Sequence, residues 1–290
     1  MEGGIKMCTK IKKIFKGIAV TVFSILFIGS IWMIPTKVVH AFTPVHIGEA
    51  ELTLATPYTT DGATATAAPQ DLGNNYALFD SVNNTLTLNN FINSKGYTDG
   101  NSHYCIYCTN NSLKIIVKGN NSITSSGGNN AGSICIKAND IEFSGDGFLN
   151  VTAQATSQSA SLSVGIEAEN ITIGGCSIVV KGSNGDVSQG MYATHSIVIN
   201  SGNVESTAAS NYASNGAIIA DTSITLNNGM GIRTPVNGKI GANTNNLQCI
   251  QNSDTTTAKH VIIAKDQTSN NNSDDSSSRN NCTHDYEWEV

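Results

Sequence analysis

Short runs of alternating apolar and polar residues recur along the chain between residues 85 and 226. Each copy contains a short apolar run, a polar corner, a second apolar run and then glycine or asparagine. The second runs begin at residues separated by 27, 28, 30, 26 and 27 positions, namely Leu86, Leu113, Ile141, Ile171, Ile197 and Ile224. A period of this length is typical of solenoids, in which each repeat buries its apolar face against its neighbours.

The alternation of apolar and polar residues predicts strands with one buried face. No stretch after residue 41 sustains the 3.6-residue apolar period of an amphipathic helix, and the asparagine-marked pattern of leucine-rich repeats is missing. Strands that recur in one chain direction stack as parallel sheets. We therefore predict an all-β fold, a right-handed single-stranded parallel β-helix with three short strands per coil.

Stacking of the coils places equivalent side chains in ladders, about 4.8 Å apart along the axis. The first strands predict an inward ladder of large residues and one of small residues: Ile106, Ile136, Ile166, Met191 and Ile218, and Cys108, Ala138, Ala168, Ala193 and Ala220. The outward position between them holds Tyr107, Lys137, Glu167, Tyr192 and Ile219. Opposite charges at Lys137 and Glu167 predict an exposed ion pair, worth less than about 1 kcal/mol.

Composition divides the chain into segments. Residues 1–41 have a basic start, an 18-residue apolar run and small residues at the end, which predicts a secretory signal peptide, with an uncleaved N-terminal anchor as the alternative. Residues 42–75 lack the repeat and predict an N-terminal cap, followed by the parallel β-helix over 76–265. Residues 266–281 are rich in serine, asparagine and aspartate and predict a disordered linker, and 282–290 predict the start of a truncated C-terminal module.

The signal-like start predicts a secreted or cell-surface protein. Six lysines and Glu2 lie within residues 1–41, so that of 16 Lys+Arg and 22 Asp+Glu in the whole chain, 10 and 21 remain after it. This acidic balance argues against nucleic acid or an anionic membrane as a partner. We expect contact with a membrane only if the N-terminal segment is not cleaved.

Three carboxylates fall at the corner between the first and second strands, and they are candidates for calcium ligands because calcium prefers oxygen. They are Asp140, Glu169 and Asp221. Asp221 is two further coils away, so Asp140 with Glu169 is the preferred pair. The alternative is that acidic residues are found at this corner because it is solvated.

Tyrosines and cysteines supply the other candidates. Tyr104, Tyr107 and Tyr192 could stack on sugar rings, and the alternative is the ordinary preference of tyrosine for strands. Cys105 and Cys135 directly precede Ile106 and Ile136, which predicts that the two cysteines point outward on adjacent coils, within disulfide reach. The alternative for the cysteines is packing.

Several motifs match a known family: residues 85–90, 113–115, 119–123, 141–151 and 171–175. In these motifs the chain resembles exported, repetitive surface proteins of Gram-positive bacteria, usually labelled carbohydrate-binding domain-containing proteins. The resemblance covers residues 86–226, about half of the chain. It implies a right-handed β-helix at the cell surface, with calcium-dependent binding of acidic plant polysaccharide in some relatives.

We therefore expect a non-catalytic extracellular or cell-surface protein that binds polysaccharide or a cell-surface glycan, with calcium as the candidate cofactor. One alternative is a polysaccharide lyase or hydrolase that acts on acidic glycans, and another is a structural surface stalk or adhesin. Catalysis is disfavoured because the chain has only two arginines, Arg233 and Arg279, and no paired-carboxylate motif stands out.

Overall fold

The computed structural model describes residues 44–52, 58–60, 65–67, 73–108, 111–127, 132–156, 162–210, 212 and 215–266. Within these ranges the chain forms strands, turns and bends and no helix, as the alternation predicts. The predicted signal peptide, the predicted C-terminal module and all but the first residue of the predicted linker lie outside the described residues.

The strands of this part of the chain follow in order. They are β1 (Val45–Ile47), β2 (Ala50–Leu52), β3 (Tyr58–Thr60), β4 (Ala65–Ala67), β5 (Tyr76–Asp80), β6 (Thr85–Asn89), β7 (Ile92–Asn93), β8 (Tyr97–Asp99), β9 (Ser102–Tyr104), β10 (Ile106–Cys108), β11 (Leu113–Lys118), β12 (Asn120–Ser126) and β13 (Gly132–Ala138). The remainder are β14 (Asp140–Gly145), β15 (Phe148–Gln154), β16 (Leu162–Ile173), β17 (Ser177–Ser183), β18 (Val187–Ile199), β19 (Asn203–Ala208), β20 (Ile218–Ala220), β21 (Ser223–Leu226), β22 (Met230–Thr234), β23 (Lys239–Ala242), β24 (Gln248–Gln251) and β25 (His260–Lys265).

Parallel pairing of these strands builds three faces. The first face stacks β10, β13, the beginnings of β16 and β18, and β20. The second face stacks β6, β11, β14, the ends of β16 and β18, and β21. The third face stacks β7, β12, β15, β17 and β19. The chain is therefore a β-solenoid of about five turns with three strands to a coil, which confirms the predicted fold class.

The core is a set of stacked apolar ladders. The predicted inward residues of the first face are all buried: Ile106, Ile136, Ile166, Met191 and Ile218, and Cys108, Ala138, Ala168, Ala193 and Ala220. A further buried ladder runs through the second face and consists of Leu86, Ile115, Phe143, Ile173 and Ile199. Each rung covers the apolar face of the one beside it, as a solenoid requires.

The chain direction reverses at both ends of the stack. At the N-terminal end β1 pairs antiparallel with β10, and β5 pairs antiparallel with β6. At the C-terminal end β24 pairs antiparallel with β20, and β25 with β19. Parallel coils therefore span 85–226 rather than the predicted 76–265, because the flanking strands cover the exposed edges instead of extending the stack.

The small-residue ladder predicts an overpacking effect at Ala168. Ala168 is buried and pairs in register with Ala193 on the next coil. We expect Ala168→Leu to lower the free energy of unfolding by about 1–3 kcal/mol, because three additional carbon atoms must fit between closely spaced coils. Urea denaturation measures the change, and Ala209→Leu is the control because Ala209 is exposed. Equal effects of the two substitutions would contradict the inward position of Ala168.

Candidate functional site

One outward row of the first face carries two tyrosines separated by an ion pair. Strand pairing aligns Tyr107 with Lys137, Lys137 with Glu167, and Glu167 with Tyr192 on four successive coils. We call these four residues the tyrosine row. All four are partly exposed, as the alternation predicts. Three coil spacings separate the two tyrosines, roughly 14 Å along the axis.

Buried residues close the tyrosine row at both ends. His46 of β1 pairs with Tyr107, and Ile219 of β20 pairs with Tyr192. His46 is 9% exposed and Ile219 is 0% exposed. Ile219, which the sequence predicts as the fifth outward residue of the row, is buried where β20 pairs antiparallel with β24 and is not exposed like the other four. The row is therefore open over four coils.

Packed aromatic rings fix the position of Tyr107. Its ring centroid lies 4.4 Å from that of Tyr104 and 5.4 Å from that of Tyr97. Tyr97 in turn stacks on His46 at 3.7 Å, with the rings 13° from parallel. Tyr104 was predicted as a ligand contact, but it is 6% exposed and belongs to a buried cluster with Ile134 and Val164. The Tyr104 ring thus packs against the Tyr107 ring, and its own surface is too buried to contact a ligand.

Hydrogen bonds fix the polar groups of the row. The Tyr107 hydroxyl donates to Asp99 Oδ2 at 2.7 Å, and the Tyr192 hydroxyl donates to Asp221 Oδ1 at 3.0 Å. Lys137 Nζ lies 2.7 Å from Glu167 Oε1. Burial and the hydrogen bond to Asp221 raise the pKa of Tyr192 to about 12, so this hydroxyl stays protonated at neutral pH and remains a donor.

His46 lies beside the rings of Tyr97 and Tyr107, and its imidazole is uncharged at neutral pH. Burial lowers its pKa below 6.5, although the negative charges of Glu51 and Asp99 act in the opposite direction. Its Nδ1 is buried and has no hydrogen-bond partner. At neutral pH the imidazole is uncharged and packs on Tyr97 as an apolar ring.

The predicted calcium corner is not assembled as expected. Asp140 pairs in register with Asn170 instead of stacking on Glu169. Ser112 Oγ donates to Asp140 Oδ2 and Asn170 Nδ2 donates to Asp140 Oδ1, both at 2.8 Å, so each carboxylate oxygen already accepts a hydrogen bond. Glu169 lies between the two segments of β16, beside a register shift, and its backbone N–H donates to the carbonyl of Asn139.

The third predicted ligand, Asp221, accepts a hydrogen bond from the hydroxyl of Tyr192, a member of the tyrosine row. Within the described residues, no group of three or more His, Cys, Asp and Glu is arranged to hold a metal ion. The three predicted ligands are therefore not gathered at one place in the described part of the chain. Calcium binding by the protein stays a prediction, and it is tested below.

The predicted cysteine pair lies on adjacent coils, and the backbone N–H of Cys105 donates to the carbonyl of Cys135 at 2.9 Å. Both side chains are buried and both thiols are free, so the outward placement was wrong and the structure has no bridge between them. The strict alternation fails here because the first strand bends at this position and turns two consecutive residues inward. Burial raises the pKa of Cys135 well above 9.0, which disfavours a reactive thiolate.

Several residues of the site were missed by the sequence analysis. His46 lies in a segment without the repeat, so no ladder position identified it as a neighbour of Tyr107. Asp99 was missed for the same reason, since β8 pairs antiparallel with β9 outside the periodic pattern. The buried outward residues Ile134 and Val164 did carry a signal, because apolar residues occupy the same outward position on adjacent coils.

No protein-family model, no curated protein and no solved structure matches this chain. In the part of the chain that the structure describes, no helix has the length and apolar character needed to cross a membrane.

Proposed function

We propose that the protein binds polysaccharide outside the cell without cleaving it, and that the tyrosine row is the contact surface. The observation that carries the proposal is the row itself, with two partly exposed tyrosines on one face, three coils apart, and their hydroxyls held by carboxylates. Polar groups lie between the rings at Lys137 and Glu167.

This arrangement suits a sugar chain. The apolar face of a tyrosine ring packs against the C–H face of a pyranose, while the polar edge remains available for hydrogen bonds. The strands fix the rings before the ligand arrives, which reduces the entropy lost on binding. Each contact is weak, and affinity comes from several contacts made by one linked ligand.

Two further arguments support the proposal. The signal-like residues 1–41 predict export, and residues 86–226 resemble a family of carbohydrate-binding surface proteins. Catalysis is left out of the proposal because the lysine of the row is engaged in an ion pair with Glu167.

The test is a glycan array followed by affinity electrophoresis in the retained polysaccharide. We expect the double variant Tyr107→Ala, Tyr192→Ala to lose at least tenfold in affinity, because both stacking surfaces are removed. Tyr212→Ala is the matched control, since Tyr212 is 59% exposed and lies outside the row. Melting curves of the three proteins separate lost binding from lost folding, and Tyr107→Phe, which keeps the ring, should retain most of the affinity.

Three outcomes would overturn the proposal. Unchanged affinity of the double variant would exclude the row as the contact surface. Release of unsaturated or reducing sugar ends by the intact protein would establish a lyase or hydrolase instead. Failure to retain any glycan would favour a structural stalk or adhesin.

A further inference from the structure

We infer that the ligand of the tyrosine row is an uncharged linear glycan that lies parallel to the solenoid axis over four coils. This inference rests on the proposed function and adds the ligand class and its direction. It departs from what the family resemblance implies, because acidic polysaccharide is the ligand of some relatives. The geometry of the row indicates the direction in which the glycan lies, and the charges around the row indicate its chemical class.

The open length of the row defines the footprint. The row is closed by His46 at one end and by Ile219 at the other, both buried, so the accessible contacts run along the axis over four coils. Successive coils are about 4.8 Å apart, a distance close to the advance of one pyranose unit in an extended chain. A sugar chain parallel to the axis therefore places its first and fourth units near Tyr107 and Tyr192.

The charges at the two ends of the row are negative. Asp99 and Asp221 accept the two tyrosine hydroxyls, and neither aspartate belongs to any of the ion pairs within the described residues. Those hydrogen bonds come from neutral hydroxyl donors, which do not offset the negative charge of either carboxylate. A carboxylate on a bound sugar would lie near a carboxylate of the protein at either end.

The centre of the row does not compensate these charges. Lys137 is its cation, and it is paired with Glu167 at 2.7 Å. The row and its two hydroxyl partners thus carry one positive and three negative groups. Like charges brought together without a bridging cation weaken binding, so a polyuronate is disfavoured. The hydroxyl groups of a neutral glycan, by contrast, can donate to the remaining acceptor sites of these carboxylates.

The experiment compares neutral and acidic polymers under the same conditions. The probes are mixed-linkage β-glucan and galactomannan on one side and polygalacturonate on the other, each with EDTA and with added calcium. We expect retention on at least one neutral polymer in EDTA, unaffected by calcium, and retention at least tenfold weaker on polygalacturonate. Oligosaccharides of the retained polymer should gain affinity from two to four units and little beyond four.

A charge variant tests the reason for the selectivity. Asp99→Asn with Asp221→Asn keeps an oxygen acceptor for each tyrosine hydroxyl and removes two negative charges. We expect this variant to gain at least threefold in retention on polygalacturonate while its retention on the neutral polymer changes less than twofold. Glu142→Gln on the second face is the control, since it removes one negative charge at a distance from the row.

The outcomes separate the inference from the proposed function. Retention on polygalacturonate alone, with or without calcium, would overturn the inference and leave polysaccharide binding intact. Affinity that stops increasing at two sugar units would overturn the axial direction. No retention on any polymer would overturn the inference and the proposed function together.

Discussion

Replacing Phe143 with alanine is expected to lower the free energy of unfolding by about 3–5 kcal/mol. Phe143 is 1% exposed and forms the middle rung of a buried ladder, between Ile115 and Ile173. Truncation removes the transfer free energy of the ring and leaves a cavity between two coils. The coils are held at a fixed spacing by backbone hydrogen bonds, so they cannot collapse into that cavity.

Phe148→Ala is the matched control for this prediction. Phe148 begins the next strand along the chain and is 37% exposed. We expect its truncation to change stability by less than about 1 kcal/mol, as surface substitutions usually do. Equal losses in the two variants, measured by urea denaturation with unchanged m values, would mean that Phe143 is not a rung of the core.

The second large effect is expected at Gly182, where β17 approaches the first face. A Cβ atom added there would lie 2.3 Å from the carbonyl oxygen of Gln189 and 2.6 Å from that of Ser163. Both atoms are backbone oxygens of stacked strands and cannot rotate away. We expect Gly182→Ala to cost about 3 kcal/mol, the upper end of the usual range for overpacking.

Gly174→Ala isolates the steric cause. A Cβ added at Gly174 meets only the carbonyl oxygen of Phe143, at the ordinary contact distance of 3.8 Å. Its neighbour Gly175 has a φ of +96°, and it is left unchanged because any side chain there would be strained. If Gly174→Ala and Gly182→Ala lower the free energy of unfolding equally, in thermal and urea denaturation, the close approach of the coils at Gly182 is contradicted.

The ladders of the first face were predictable because the fold repeats its own pattern. Once Ile136 and Ile166 are aligned by their period, the alternation assigns every residue between the corners to one side of the sheet. The tyrosine row followed from the same alignment. Backbone pairing between coils fixes each position of the row. The repeat period was therefore enough to align the four residues, whatever their side chains.

The corner residues were predicted less well because the period alone does not give their register. Asp140 directly precedes Ile141 and Asn170 directly precedes Ile171, so the second-strand anchors already align these two residues. Glu169 lies one position earlier, and grouping it with Asp140 ignored that offset. A register shift after Ala168 then displaces the following coil relative to both of them.

The pairing of the capping strands could not be predicted from the sequence, for a different reason. Residues near His46 have no repeated partner, so their pairing depends on which exposed edge they cover and not on a period. The reversed direction of β24 and β25 is likewise set by the edges of β20 and β19 that they cover. Long-range antiparallel pairing of this kind leaves no periodic signal in the chain.

The closed ends have a consequence for how such a chain can change in evolution. Each coil contacts only its neighbours, and the caps contact only the outermost coils, so tandem duplication of one internal segment of 26 to 30 residues would add a rung without altering either end. The outward rows of a descendant's first face would then lengthen in whole steps, each as long as one strand spacing. Gene rearrangement alone would in this way change the length of the outward rows, while the register between coils and both capped ends stay the same.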